Sequence, residues 1–169
     1  MLRWLFFATL SVILMLQLRS MDEPLREAAP GGIVGYELAW SATGANEYLT
    51  AWKGDLLEAA KVSLGVDFVF LLAYPLMFAT GAALLIRRPI VSGFDRLGDA
   101  IRKAVLLCIP LDATENLSLW RMIDRGASDG LAHLATICAV IKFALVIAAL
   151  VWCLAALSRR IVSPKPVGR

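Results

Sequence analysis

Four apolar stretches, separated by polar segments, organise this chain: about residues 4–18, 62–86, 100–120 and 131–157. A bilayer core of about 30 Å needs roughly 20 helical residues. The last three stretches meet that length. The first must tilt little, or extend through Arg3 and Arg19 with those side chains reaching outward. No alternation of period two competes with the helical pattern. The pattern predicts an all-α protein, a four-helix transmembrane bundle. Between the first two stretches, residues 19–61 form an external segment. Pro24, Pro30, Gly31 and Gly32 break its start, and then Ile33, Tyr36, Trp40, Tyr48 and Trp52 recur at spacings near three and four. That spacing predicts one or two short amphipathic helices, interrupted near Thr43-Gly44, lying on the outer surface and covering the bundle.

Local signals place the helix ends. Asp55-Leu-Leu-Glu58 after Gly54 predicts a capping box at the start of the second spanning helix, which is expected to run to Arg88 before Pro89 stops it. Ser92 or Asp95 is expected to cap the third helix, and Ser128 or Asp129 the fourth. Pro75 and Pro110 each remove one helix hydrogen bond, freeing carbonyls at Leu71 and Leu106.

Composition agrees with a membrane protein and with one integral domain over residues 1–169. The chain is 59% hydrophobic, with mean hydropathy +0.71, against about 45–50% apolar for a soluble domain. Positive charge concentrates in Arg87, Arg88, Arg96, Arg102 and Lys103 between the second and third spans, and in Arg159, Arg160, Lys165 and Arg169 of the tail. By the positive-inside rule both regions face the cytoplasm, as does Arg3, and the mostly acidic segment 19–61 lies outside. This predicts a multi-pass protein of the bacterial cytoplasmic (inner) membrane with both termini cytoplasmic. The net charge of +3 follows from that bias and is no sign of a nucleic-acid partner, because the basic residues flank spans. The first stretch has the basic start of a signal peptide, but Leu16, Gln17 and Leu18 stand where a cleavage site needs small residues, so it is expected to remain as an anchor. Cys108, Cys138 and Cys153 all fall within spans at no metal-ligand spacing and read as packing residues. No metal site or cofactor motif is present in the sequence pattern, and lone His133 makes none.

Charged residues inside the spans carry the chemistry. Asp67, Asp112, Glu115 and Lys142 lie in the bodies of three apolar stretches, where an isolated charge costs several kcal/mol. Counted from the outer helix ends, Asp67 and Glu115 are about 9 Å deep, Asp112 about 13 Å and Lys142 about 16 Å, with a stem that can turn back outward. All four heads therefore reach one level. Asp112, Glu115 and Asn116 share a helix face, as do Asp67 and Tyr74. Lys142 is expected to pair with Asp112 or Glu115, with Asp67 and Tyr74 forming a partly separate half. Three carboxylates against one ammonium call for a proton, a cation or a cationic ligand, unless the cluster only holds the helices in register.

The segments Glu37-Leu-Ala-Trp40, Thr50-Ala-Trp52, Asp67 through Tyr74 and Leu111 through Asn116 together resemble an uncharacterised bacterial family of four-helix inner-membrane proteins, over roughly residues 33–157. The resemblance implies the fold and brings no activity. The architecture is also similar to the EXPERA group, whose four or five helices hold acidic residues in a membrane pocket. That similarity is one of layout, without matching motifs.

Three functions fit these residues. The first is binding or passing a proton, a cation or a small amphiphilic ligand at Asp67, Tyr74, Asp112, Glu115, Asn116 and Lys142. The second is an accessory subunit of a larger membrane complex, or a homo-oligomer, docking through Tyr36, Trp40, Tyr48 and Trp52. The third is a membrane enzyme using paired carboxylates for acid–base work on a lipid-soluble substrate. No nucleophile–base pair supports the third, so catalysis ranks below binding.

Overall fold

The computed structural model describes residues 1–87, 89–90 and 92–162. Arg88 and the tail residues Lys165 and Arg169 lie outside them; the second long helix, expected to run to Arg88, already ends at Leu85, where Ile86 turns extended. Every regular element among the described residues is helical: α1 (Leu2–Ala28), α2 (Gly32–Glu37), α3 (Ala42–Ala51), α4 (Asp55–Leu85), α5 (Gly93–Ala104), a 3-10 turn (Val105–Leu107), α6 (Cys108–Arg125) and α7 (Asp129–Val162).

Three helices, α1, α4 and α7, are long and apolar enough to cross a membrane. The first expected span was placed too short. α1 continues past Leu18 to Ala28 because residues 16–26 contain no glycine and are rich in helix formers, and it carries Pro24 inside the helix. It stops where Ala29 becomes extended, the conformation favoured before a proline such as Pro30. The third expected span, 100–120, is divided. The missing N–H of Pro110 leaves the backbone around Leu106 without its helical partner, and the chain tightens there into the 3-10 turn. α6 itself has 18 residues and carries three acids and two arginines, so it does not join α1, α4 and α7 as an apolar span.

The helix ends follow the sequence in part. Ser92 Oγ accepts from Asp95 N–H at the start of α5, and Ser128 Oγ accepts from Leu131 N–H at the start of α7. The capping box at α4 does not form: Gly54, at φ 59°, is the cap residue, and Asp55 is already helical. Asp55 and Glu58 still favour the positive end of the helix dipole. In the outer segment the break falls at residues 38–41 and not at Thr43-Gly44, which are helical. Trp40 sits there in the left-handed region at φ 58°, and Ser41 caps α3 by accepting from Gly44 N–H.

Packing sets the frame for the polar groups. α1 lies along α4, α6 lies along α7, and α4 joins the two pairs. Gly81 allows the first contact to be close: a Cβ there would stand 2.9 Å from Trp4 Nε1. At one end, α2 and α3 close over the helices around Leu25, Tyr36, Trp52, Leu64, Leu119 and Met122. At the other end α5 seals the structure. Phe94 stacks on Trp152 at 5.3 Å, and the Arg159 guanidinium lies over the Phe94 ring.

Candidate functional site

Lys142 is the hub. Its helix, α7, faces α6, and the i, i+3 spacing on α6 presents two acids to it. Lys142 Nζ donates to Asp112 Oδ1 at 2.8 Å and to Glu115 Oε1 at 2.9 Å. The second oxygen of Asp112 accepts from the Tyr74 hydroxyl of α4 at 2.9 Å. Asp67, also on α4, accepts from Asn116 Nδ2 at 2.6 Å through Oδ2. Its Oδ1 has no hydrogen-bond donor among the described residues. Thus all six side chains expected to meet do so, with two rearrangements. Lys142 takes both Asp112 and Glu115, and Tyr74 belongs with Asp112 while Asp67 belongs with Asn116.

A fourth acid joins them. Glu37, the last residue of α2, brings its carboxylate to 3.9 Å from Lys142 Nζ and against the carboxyl of Glu115. Counting along the chain assigned it to the acidic external segment. Only the return of α2 over the helices reveals it. The one local signal was its place beside the aromatic residues that anchor that segment.

The roof that delivers Glu37 is pinned on three sides. Thr136 Oγ1 of α7 donates to the Glu37 carbonyl at 2.8 Å and accepts from Trp40 N–H at 3.2 Å. The Tyr36 hydroxyl donates to the Leu119 carbonyl at 3.3 Å, and Asp22 of α1 accepts from Ile33 N–H at 2.7 Å. Burial pushes the Glu37 carboxyl well above its ordinary value. Lys142 pulls it back, while Glu115 and Asp67 push it further up.

The four aromatics expected as a partner surface are not exposed together. Tyr36 and Trp52 are buried in the core, and Trp52 Nε1 donates to the Leu25 carbonyl. Tyr48 packs on both rings and donates to the Pro30 carbonyl. Trp40 stays 54% exposed, its ring edge-on to His133. Their helical spacing marked an apolar face correctly, and that face turns onto the helices because α2 and α3 fold back.

Beside the cluster lies a cavity of about 560 Å³ between α1, α2, α4, α6 and α7, within the usual range for small-molecule sites. Glu37, Asp67, Asp112 and Lys142 reach its wall. Most of the lining is apolar, including Val12 and Met15 of α1, Met77 and Phe78 of α4, and Phe143 and Val146 of α7. Arg19, Asp22 and Arg26 stand at the end nearest α2. α1 packs on α4 and α2 and has no comparable packing on α6 or α7, so the cavity occupies the gap that remains. Two residues on its lining, Ser11 and Glu37, hold buried polar atoms with no hydrogen-bond partner, Oγ and Oε2 respectively; Glu115 Oε2, behind the wall, is the third such atom.

Among the described residues no group of three or more His, Cys, Asp and Glu has the arrangement of a metal site. Cys108 lies beneath the cluster, close to the Lys142 carbonyl, in the packing role expected of it. No protein-family model, curated protein or solved structure matches this chain.

Proposed function

We propose that this protein is a four-helix inner-membrane protein that binds a small molecule or ion in the cavity beside Lys142. In this reading α1, α4 and α7 cross the bilayer, and the bent α5–α6 run supplies the fourth crossing with its acids turned away from lipid. The α2–α3 end faces outward and the basic α5 end faces the cytoplasm, consistent with the positive-inside rule.

The observation that carries the reading is the position of the charges. A cluster that only held helices together would be expected to satisfy its members and exclude space. Here the carboxylates of Glu37 and Asp67 border an apolar cavity, and a Glu37 oxygen and the Ser11 hydroxyl lack partners. Four carboxylates surround one ammonium, so a proton or a cationic group is needed for balance. Beyond Tyr74 the interior continues as Ala79, Val105, Cys108 and Ala149. That apolar packing favours holding a guest over conducting one across.

Native mass spectrometry of the protein, purified gently from its own membranes, tests the proposal. A bound small molecule, absent from an Asp67→Asn variant that still folds, is the expected result. A bare chain, or one found only with stoichiometric partner chains and no small molecule, would overturn it.

A further inference from the structure

We infer that the guest is a lipid-soluble ammonium compound, with its charged nitrogen between Glu37 and Asp67 and its apolar part along α1, α4 and α7. The inference rests on the binding reading above and narrows it to one ligand class.

Donor accounting selects the head group. Lys142 directs two of its three N–H donors at Asp112 and Glu115, and its Nζ stands 3.9 Å from Glu37 Oε2, too far for a hydrogen bond. Asn116 supplies Asp67 Oδ2 alone. At Glu37 and Asp67 the wall therefore presents acceptors in want of N–H or O–H donors, while Arg19 and Arg26 stand with Asp22 at the end nearest α2 and bond to neither carboxylate. A primary ammonium carries three donors and one positive charge. An alcohol has a single O–H donor and no charge, and a carboxylic acid would add to the acidic excess. A simple metal ion would leave most of the 560 Å³ unfilled.

Shape and lining select the rest. From Asp67 the cavity follows α4 to Phe78, eleven residues on, which is about 16 Å. That depth suits an extended hydrocarbon segment, and Val12, Met15 and Leu18 of α1 and Phe143 and Val146 of α7 line it with apolar surface. Ser11 Oγ, buried and unpartnered, offers one further polar contact partway along.

Dodecylamine, dodecanol and dodecanoic acid, each titrated into the purified full-length protein in a maltoside detergent at neutral pH, provide the test. Binding is read by native mass spectrometry and by the shift in thermal unfolding. Dodecylamine is expected to bind at least about tenfold tighter than the alcohol or the acid, and to lose about that factor in Asp67→Asn or Glu37→Gln. An Asp99→Asn variant, altered on α5 far from the cavity, is expected to bind as wild type. Should Glu37→Gln disrupt the roof, Asp67→Asn carries the result, since Asp67 is half-buried with a single partner. Equal binding of all three compounds, unaffected by either variant, would overturn the ammonium assignment while leaving the cavity reading intact. Failure of every compound to bind the wild type would overturn both.

Discussion

The carboxylate of Glu37, at the end of a six-residue helix outside the spanning helices, lies 3.9 Å from the Lys142 ammonium on α7. This pair couples the roof of the protein to its buried charge cluster. Two oxygens near it, Glu37 Oε2 and Glu115 Oε2, have no donor. The roof is therefore a wall of the cavity, lined by Ile33, Val34 and Glu37.

Removing the hub should be costly. Lys142→Met leaves Asp112 and Glu115 buried without their shared ammonium, and a broken buried ion pair typically costs about 3–5 kcal/mol. Adding Glu115→Gln to that variant should recover part of the loss, because one uncompensated charge disappears with it. Reversible unfolding in mixed detergent, followed by circular dichroism across the double-mutant cycle, checks both statements.

Tyr74→Phe keeps the ring that packs against Phe70 at 5.0 Å and deletes the donor to Asp112 Oδ2. A hydrogen bond to a charged group is worth about 1.5–3 kcal/mol. The same unfolding assay should show a loss in that range, with the helical content of the folded state unchanged.

Much of this was legible in the chain, for physical reasons. Charges at membrane depth must find one another, so helical rise alone placed Asp67, Asp112, Glu115 and Lys142 on one level, and i, i+3, i+4 spacing put Asn116 with them. What could not be read locally was the return of α2. Its amphipathic face looks the same whether it rests on lipid or on helices, and that ambiguity hid Glu37 and made Tyr36 and Trp52 look available to a partner. The bend before α6 was signalled by Pro110. Its consequence, a short polar α6 preceded by a separate α5, depended on α5 docking against α7 through Phe94 and Trp152.

That docking predicts an intolerant glycine. A Cβ at Gly98 would overlap the Trp152 indole, which is fixed by its stack on Phe94 and by donation from Nε1 to the Phe94 carbonyl at 3.1 Å. Alanine gains about 1 kcal/mol in helix propensity, but overpacking costs typically 1–3 kcal/mol. Gly98→Ala should therefore destabilise the protein on balance, and a lowered midpoint in thermal unfolding would show it.

Asp95 ties the end of α4 to α5. It accepts from Ser92 Oγ and from Arg87 N–H, the latter at 3.0 Å. The Ser92 bond, followed by the backbone bond and the nearby arginines, holds its carboxyl below the ordinary 3.8. A lowered folded-state value means the contribution to stability is complete above about that ordinary value and is lost as pH falls through the lower one. The stability difference between wild type and Asp95→Asn should thus be flat at neutral pH and shrink only in strong acid. A difference that instead grows toward low pH would contradict this assignment.

The central claim is that the space beside Glu37 and Asp67 is a site and not a packing fault. An experimental structure of the protein extracted from its own membranes, with no compound added, tests it most directly. The account predicts ordered density in the cavity, with a polar end against Glu37 and Asp67 and an apolar end toward Met77 and Phe78. A collapsed cavity, with α1 packed against α7 and all four carboxylates satisfied by protein groups alone, would contradict it.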